Sequence, residues 1–138
     1  MWGAAPTKHK TKTKFQVASN STNTLIIDLQ FDQGVHLNEH APNSFTVKVG
    51  NSNSNSSVMQ VVKQSTVDEM KQNNKIQVEF SVNASADDDL KNEKLIVELN
   101  LYICAGDACS TKNVTVSVPV TGGSENGVSK TEVLNISL

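Results

Sequence analysis

Cysteine is scarce in this 138-residue chain, with Cys104 and Cys109 the only two. Two are too few for a disulfide scaffold, and their spacing lacks the second pair of ligands that a structural zinc site needs. Aromatic residues make up 4% and the formal net charge is -2, so neither the basic field nor the stacking surface of a general nucleic-acid binder is present. No apolar run reaches the roughly 18 to 20 residues of a membrane helix, and the first residues lack the apolar core of a signal peptide. The expectation is a soluble chain with no membrane insertion. No G-x-S-x-G, P-loop or dinucleotide glycine pattern occurs. Hydrolase and kinase chemistry has no residues to carry it, no cofactor is expected, and the chain alone is not expected to be an enzyme.

What the chain does contain is alternation. Apolar residues recur at every second position in Leu25/Ile27/Leu29/Phe31, Phe45/Val47/Val49, Ile76/Val78/Phe80/Val82, Leu95/Val97/Leu99/Leu101/Ile103, Val114/Val116/Val118/Val120 and Leu134/Ile136/Leu138. A period of two marks strands with one buried face. With Lys14–Ala18 and Val58–Lys63 added, the pattern predicts an all-β fold: an antiparallel β-sandwich of about seven or eight strands, immunoglobulin-like. The only helical signal is Thr66 with Glu69 at capping-box spacing, enough for one or two turns. The length suits one domain, expected over residues 15–138.

Residues 1–14 interleave Lys8, Lys10, Lys12 and Lys14 with threonines and read as a solvated linker or tail. Trp2 within it is either an anchor against a neighbouring domain or a remnant of a longer chain. Asn51–Ser57 is a low-complexity run expected to form an exposed hairpin loop. His36 and His40 are expected on a surface loop, and Asp87, Asp88 and Asp89 in a solvated turn rather than around calcium. N-x-S/T sequons begin at Asn20, Asn55, Asn83, Asn113 and Asn135. They keep open a secreted glycoprotein adhesion domain as one reading.

The cysteines end the most hydrophobic strand, Leu95 to Ile103, and Ala105-Gly-Asp-Ala108 between them is a plausible turn. The two would then face each other at a hairpin, where opposed Cα atoms lie about 4.5–5.5 Å apart, within the window of a disulfide. Three readings follow: a hairpin staple or inert thiol pair, a pair exchanging electrons with a thioredoxin-type partner, or a metal site shared with a partner's ligands. Neither cysteine precedes a helix, and only Lys112 stands near in sequence to favour a thiolate, which argues against a fast catalytic thiol.

Phe31-Asp-Gln-Gly34-Val-His-Leu37-Asn38-Glu39-His-Ala41-Pro42-Asn-Ser44 resembles the G-x-K-L-N-E-x-A-P-S entry segment of the C-terminal β domain in thioredoxin-like/NHL-repeat proteins. Tyr102-x-Cys104, then Cys109 and Val118-Pro119-Val120, is similar to the Y-x-C, C, V-P-V finish of that domain. His36 stands where the pattern has Lys, His40 where it has an acidic residue, and Asn43 is inserted before Ser44. The resemblance implies a C-terminal module of a longer protein, with residues 1–14 as the linker from a β-propeller. It implies the other domains of the parent protein, propeller and thioredoxin-like, or a protein partner, as what the module packs against. The function implied is a non-catalytic interaction or scaffold module with one hairpin disulfide. A relay role for Cys104 and Cys109 stays as the alternative. Relatives of this kind are cytosolic in animals and lumenal in plants, so the compartment is left open. Within the entry segment Gly34 is expected to supply a positive-φ turn and Pro42 to hold Ala41 extended. Glu39 is expected to accept backbone N–H bonds, with Leu37 and Asn38 completing a structural loop.

Overall fold

The computed structural model describes residues 7–10, 14–51, 54–55, 58–83, 90 and 93–138. Trp2, Lys12 and Asp87 to Asp89 lie outside the described residues. Along the chain run β1 (Thr7–Lys10), β2 (Phe15–Ala18), β3 (Ser21–Phe31), β4 (Val35–Leu37), β5 (Ser44–Asn51), β6 (Ser54–Asn55) and β7 (Met59–Gln64). The helix α1 (Val67–Asn73) follows, then β8 (Lys75–Val82), β9 (Lys94–Ala105), β10 (Ala108–Ser124) and β11 (Ser129–Ile136).

These strands form an all-β sandwich. One sheet has the order β1-β10-β9-β5-β6, with β2 also paired to β10 and β4 to β9; the other has the order β11-β3-β8-β7. The alternating residues face each other across the two sheets: Leu25, Ile27, Ile76, Val78 and Phe80 from one, Leu95, Val97, Leu101, Ile103 and Val116 from the other, each at 0% exposure. Burying one such side chain is worth about 1.5–3 kcal/mol, and that sum drives the sheets together. Phe15 on β2 meets Phe80 edge to face, with centroids 5.7 Å apart.

Both sheets are mixed rather than purely antiparallel, because β1 and β2 run parallel to β10, and β11 runs parallel to β3. Thr7–Lys10, read from sequence as part of a tail, is therefore an edge strand. Pairing there uses backbone groups alone, so it needs no apolar periodicity, and lysines suit an edge that must not recruit further strands. The His9 ring nitrogen Nε2 lies 2.9 Å from Glu132 Oε1 on β11. The low-complexity run does form a hairpin, with Gly50 opposite Asn55 and Asn51 opposite Ser54; the exposure of its side chains lies outside the described residues.

The helical expectation holds in detail. Thr66 is the N-cap: its hydroxyl accepts from Glu69 N–H at 3.1 Å while Glu69 Oε1 accepts from Thr66 N–H at 2.9 Å. Asn74 ends the helix in the left-handed region at φ 54°, and its N–H donates to Met70 O. Met70 is the residue that α1 buries, at 0% exposure, and it joins the core between the sheets.

Candidate functional site: the cysteine hairpin and its cleft

β9 and β10 are joined by the two-residue loop Gly106-Asp107, with Ala105 opposite Ala108 and Cys104 opposite Cys109. Gly106 has φ 62°, the positive value that the first loop position of a type II′ hairpin requires. The pair that closes a two-residue loop exchanges hydrogen bonds and the next pair does not, so Cys104 and Cys109 occupy the closer kind of site. Their Cα atoms are 4.0 Å apart and the two sulfurs are joined as a disulfide. The facing register expected from sequence is thus present, and the bond with it.

Alternation places the bond on the outer face of the larger sheet, since Leu101 and Ile103 point inward. The two cysteines differ there. Cys109 is exposed, whereas Cys104 keeps 7% of its surface. The difference comes from the neighbouring strand: β4 pairs antiparallel with β9, and His36 sits directly opposite Cys104. Cys109, Cys104 and His36 therefore form one row across β10, β9 and β4.

The entry segment is what brings His36 there. Val35 N–H donates to Asp32 O at 2.9 Å, and Gly34 has φ 81°, as a turn with a left-handed third residue demands. After β4 the chain leaves β9 and rejoins it at Ser44, opposite Asn100. Between the two ladders the backbone of Tyr102 is served by the loop: its carbonyl accepts from Asn38 N–H at 2.8 Å, and its N–H donates to Asn43 Oδ1 at 2.7 Å. Asn43 Nδ2 donates to Asn38 O at 2.8 Å and to Ala41 O at 3.3 Å. Asn43 is buried at 6% exposure, a polar core residue with its bonds made. The loop amide of His40 is taken by Asn38 Oδ1 at 3.1 Å, the role expected of Glu39. Glu39 contributes its backbone carbonyl instead, to Lys71 Nζ at 3.4 Å.

That contact brings α1 to the loop and frames a cleft of about 490 Å³ lined by His36, Leu37, Asn38, Glu39, His40, Lys71, Asn74, Cys104 and Gly106. The sequence alone shows only Lys112 near the cysteines; the fold adds His36, His40 and Lys71 around Cys104. His36 is an exposed strand residue rather than a loop residue, and His40 is an exposed loop residue, as expected. The remaining entry-segment residues fall as a connected unit: Leu37 is buried opposite Ile103, while Ala41 and Pro42 lie in the loop that Asn43 closes.

Among the described residues no group of three His, Cys, Asp or Glu is placed to hold a metal ion. Of the sequons, Asn20, Asn83 and Asn135 are exposed, Asn113 is half-buried, and the side chain of Asn55 lies outside the described residues. Comparison with protein-family models finds none that matches the chain, and comparison with curated proteins finds no match either.

Proposed function

We propose that this chain is a non-catalytic β-sandwich interaction module, the C-terminal β domain of a thioredoxin-like/NHL-repeat type of protein, packing beside a propeller or thioredoxin-like domain. One observation supports this reading above others. The two segments that carry the resemblance, Phe31 to Ser44 and Tyr102 to Cys109, lie far apart in sequence yet form one unit, with Asn38 and Asn43 bonded to Tyr102 and His36 opposite Cys104. In this role the disulfide is a staple at the hairpin tip, contributing about 2 kcal/mol for so short a loop.

Mixing the chain with a recombinant NHL-repeat propeller joined to its thioredoxin-like domain tests the proposal. The expected result is a stoichiometric complex in light scattering, unchanged when both Cys104 and Cys109 are replaced by Ser. Absence of a complex, with the chain alone turning over a dithiol substrate, contradicts it. The exposure of Cys109 favours a second reading, thiol–disulfide relay through Cys104 and Cys109. That reading expects Cys104→Ser to trap a mixed disulfide with a thioredoxin-type partner.

A further inference from the structure

Thiol–disulfide exchange proceeds by attack of a thiolate on one sulfur, in line with the bond it breaks, so the strands flanking a cross-strand disulfide decide which sulfur can be reached. On the far side of Cys104 stands β4, with His36 directly opposite. β4 and His36 therefore flank Cys104 on the side remote from Cys109. On the far side of Cys109 the described strands leave the approach open: β1 pairs with β10 only along Val114 to Ser117, and β2 only along Val120 to Ser124. The exposures agree, with Cys109 open to solvent and Cys104 at 7%.

The leaving side is also distinct. Cys104 lines the cleft with His36, His40 and Lys71, whereas Cys109 does not. A thiolate released from Cys104 enters a cleft whose walls carry the Lys71 ammonium and two imidazoles. Glu39 in the same cleft and Asp107 in the turn are the opposing acidic groups. Lys71 Nζ already lies 3.5 Å from Asp68 Oδ1, so part of its charge is engaged.

We infer that the Cys104–Cys109 bond has a fixed polarity, in which a partner dithiol enters at Cys109 Sγ and Cys104 Sγ departs as the thiolate into the cleft of His36, His40 and Lys71. The inference rests on the relay reading and names its direction. In the first step the partner thiolate forms a bond to Cys109 Sγ while the Sγ–Sγ bond breaks, its electron pair going to Cys104. In the second step the partner's other thiolate attacks the partner sulfur of the mixed disulfide and releases the Cys109 thiolate. The partner dithiol is oxidised to a disulfide, and its two electrons and two protons end on Cys104 and Cys109. The substrate class is a dithiol carried on a protein partner, taken up at the exposed Cys109.

His36 and Lys71 act through the leaving sulfur and are positioning residues. A neighbour that favours the thiolate by about one pKa unit changes the exchange rate about threefold, taking leaving-group sensitivity to be of the same size as the nucleophile's Brønsted coefficient of about 0.4–0.5.

The test uses the oxidised chain under native conditions, with reduced glutathione to locate the first adduct and dithiothreitol to measure the opening rate. Reactions are quenched in acid, and the position of glutathione is read by tandem mass spectrometry. The expected adduct is on Cys109, in at least tenfold excess over Cys104. His36→Asn and Lys71→Gln are each expected to slow opening about threefold, His36→Asn with unchanged melting, the Lys71→Gln effect shrinking as salt is raised and Lys71→Arg restoring the rate. An adduct mainly on Cys104, or opening rates indifferent to both substitutions, overturns the polarity while leaving relay intact. A bond that resists both thiols until the protein unfolds overturns relay itself.

Discussion

Replacing Asn43 by Ala removes the side chain that, among the described residues, joins the entry loop to β9 by a hydrogen bond. Three bonds are lost: a 2.7 Å acceptor for Tyr102 N–H, a 2.8 Å donor to Asn38 O and a 3.3 Å donor to Ala41 O. A neutral hydrogen bond contributes about 1 kcal/mol net, and a buried donor left without an acceptor costs about 1–3 kcal/mol. The lost bond to Asn38 O and the abandoned Tyr102 N–H together give a destabilisation of about 2–4 kcal/mol, with the long bond adding little. For 138 residues, an unfolding entropy of about 2.1 cal/mol/K per residue is about 0.29 kcal/mol/K, so Tm should fall by about 7–14 °C. Urea unfolding of wild type and Asn43→Ala, followed by circular dichroism, measures this directly; the midpoint should drop with the slope unchanged. Asn135→Ala, exposed on β11, serves as the control and should shift stability by less than about 0.5 kcal/mol. A loss below about 1 kcal/mol for Asn43→Ala would show that the loop does not depend on this clamp, and the argument that the two segments form one unit would fail with it.

Replacing both Cys104 and Cys109 by Ser should leave the fold intact and lower stability by about 2 kcal/mol, the chain-entropy value for a bond between residues 5 apart, or about 7 °C in Tm; loss of folded signal at room temperature would refute it. Thr66→Ala should cost about 1 kcal/mol through loss of the N-cap, read in the same unfolding assay. The bond from Thr66 N–H, then that with the Thr66 hydroxyl, holds the Glu69 carboxyl below its ordinary value of 4.5. A lowered folded-state value means that the stabilisation is present above pH 4.5 and is lost as pH falls below it, and Glu69→Gln should flatten stability in that range; an unchanged acid limb would contradict the assignment. Made in a secretory host, the chain should carry glycan first at the exposed Asn20, Asn83 and Asn135, checked by intact mass before and after glycosidase; an unmodified mass removes the adhesion-domain reading.

The strands that build the core were legible because each has one buried face, and alternation in Leu95 to Ile103 or Ile76 to Val82 records that face residue by residue. The cysteine register was legible for a local reason: a Gly-Asp loop flanked by two alanines leaves one way to bring Cys104 opposite Cys109. β1 was not, since its ladder with β10 uses backbone groups of a Lys/Thr segment that carries no apolar signal. Nor was the parallel pairing of β11 with β3, which depends on where the chain crosses between sheets after Ser124. Asn43 looked like an interruption of the entry pattern, yet it is the buried clamp of that segment. Its signal, a lone Asn between Pro42 and the apolar alternation of β5, is common to many turns. The approach of His36 to Cys104 arises from β4, only three residues long, where Val35-His36-Leu37 alternates too briefly to stand out. Lys71 reaches the same cleft through tertiary packing of α1 against the loop, which no spacing encodes.

The claim beneath both functional readings is that the sandwich core holds itself and that the disulfide governs only the hairpin tip and its neighbours. Hydrogen–deuterium exchange on the oxidised and reduced chain tests this most directly. On reduction, protection should fall at Ala105, Ala108 and the β4 amides, while amides of β3, β8 and the inner part of β9, Leu95 to Leu99, stay as they were. Loss of protection throughout β8 and β9 on reduction would show that the bond holds the fold as a whole, and both the local staple and the native-state relay would be contradicted.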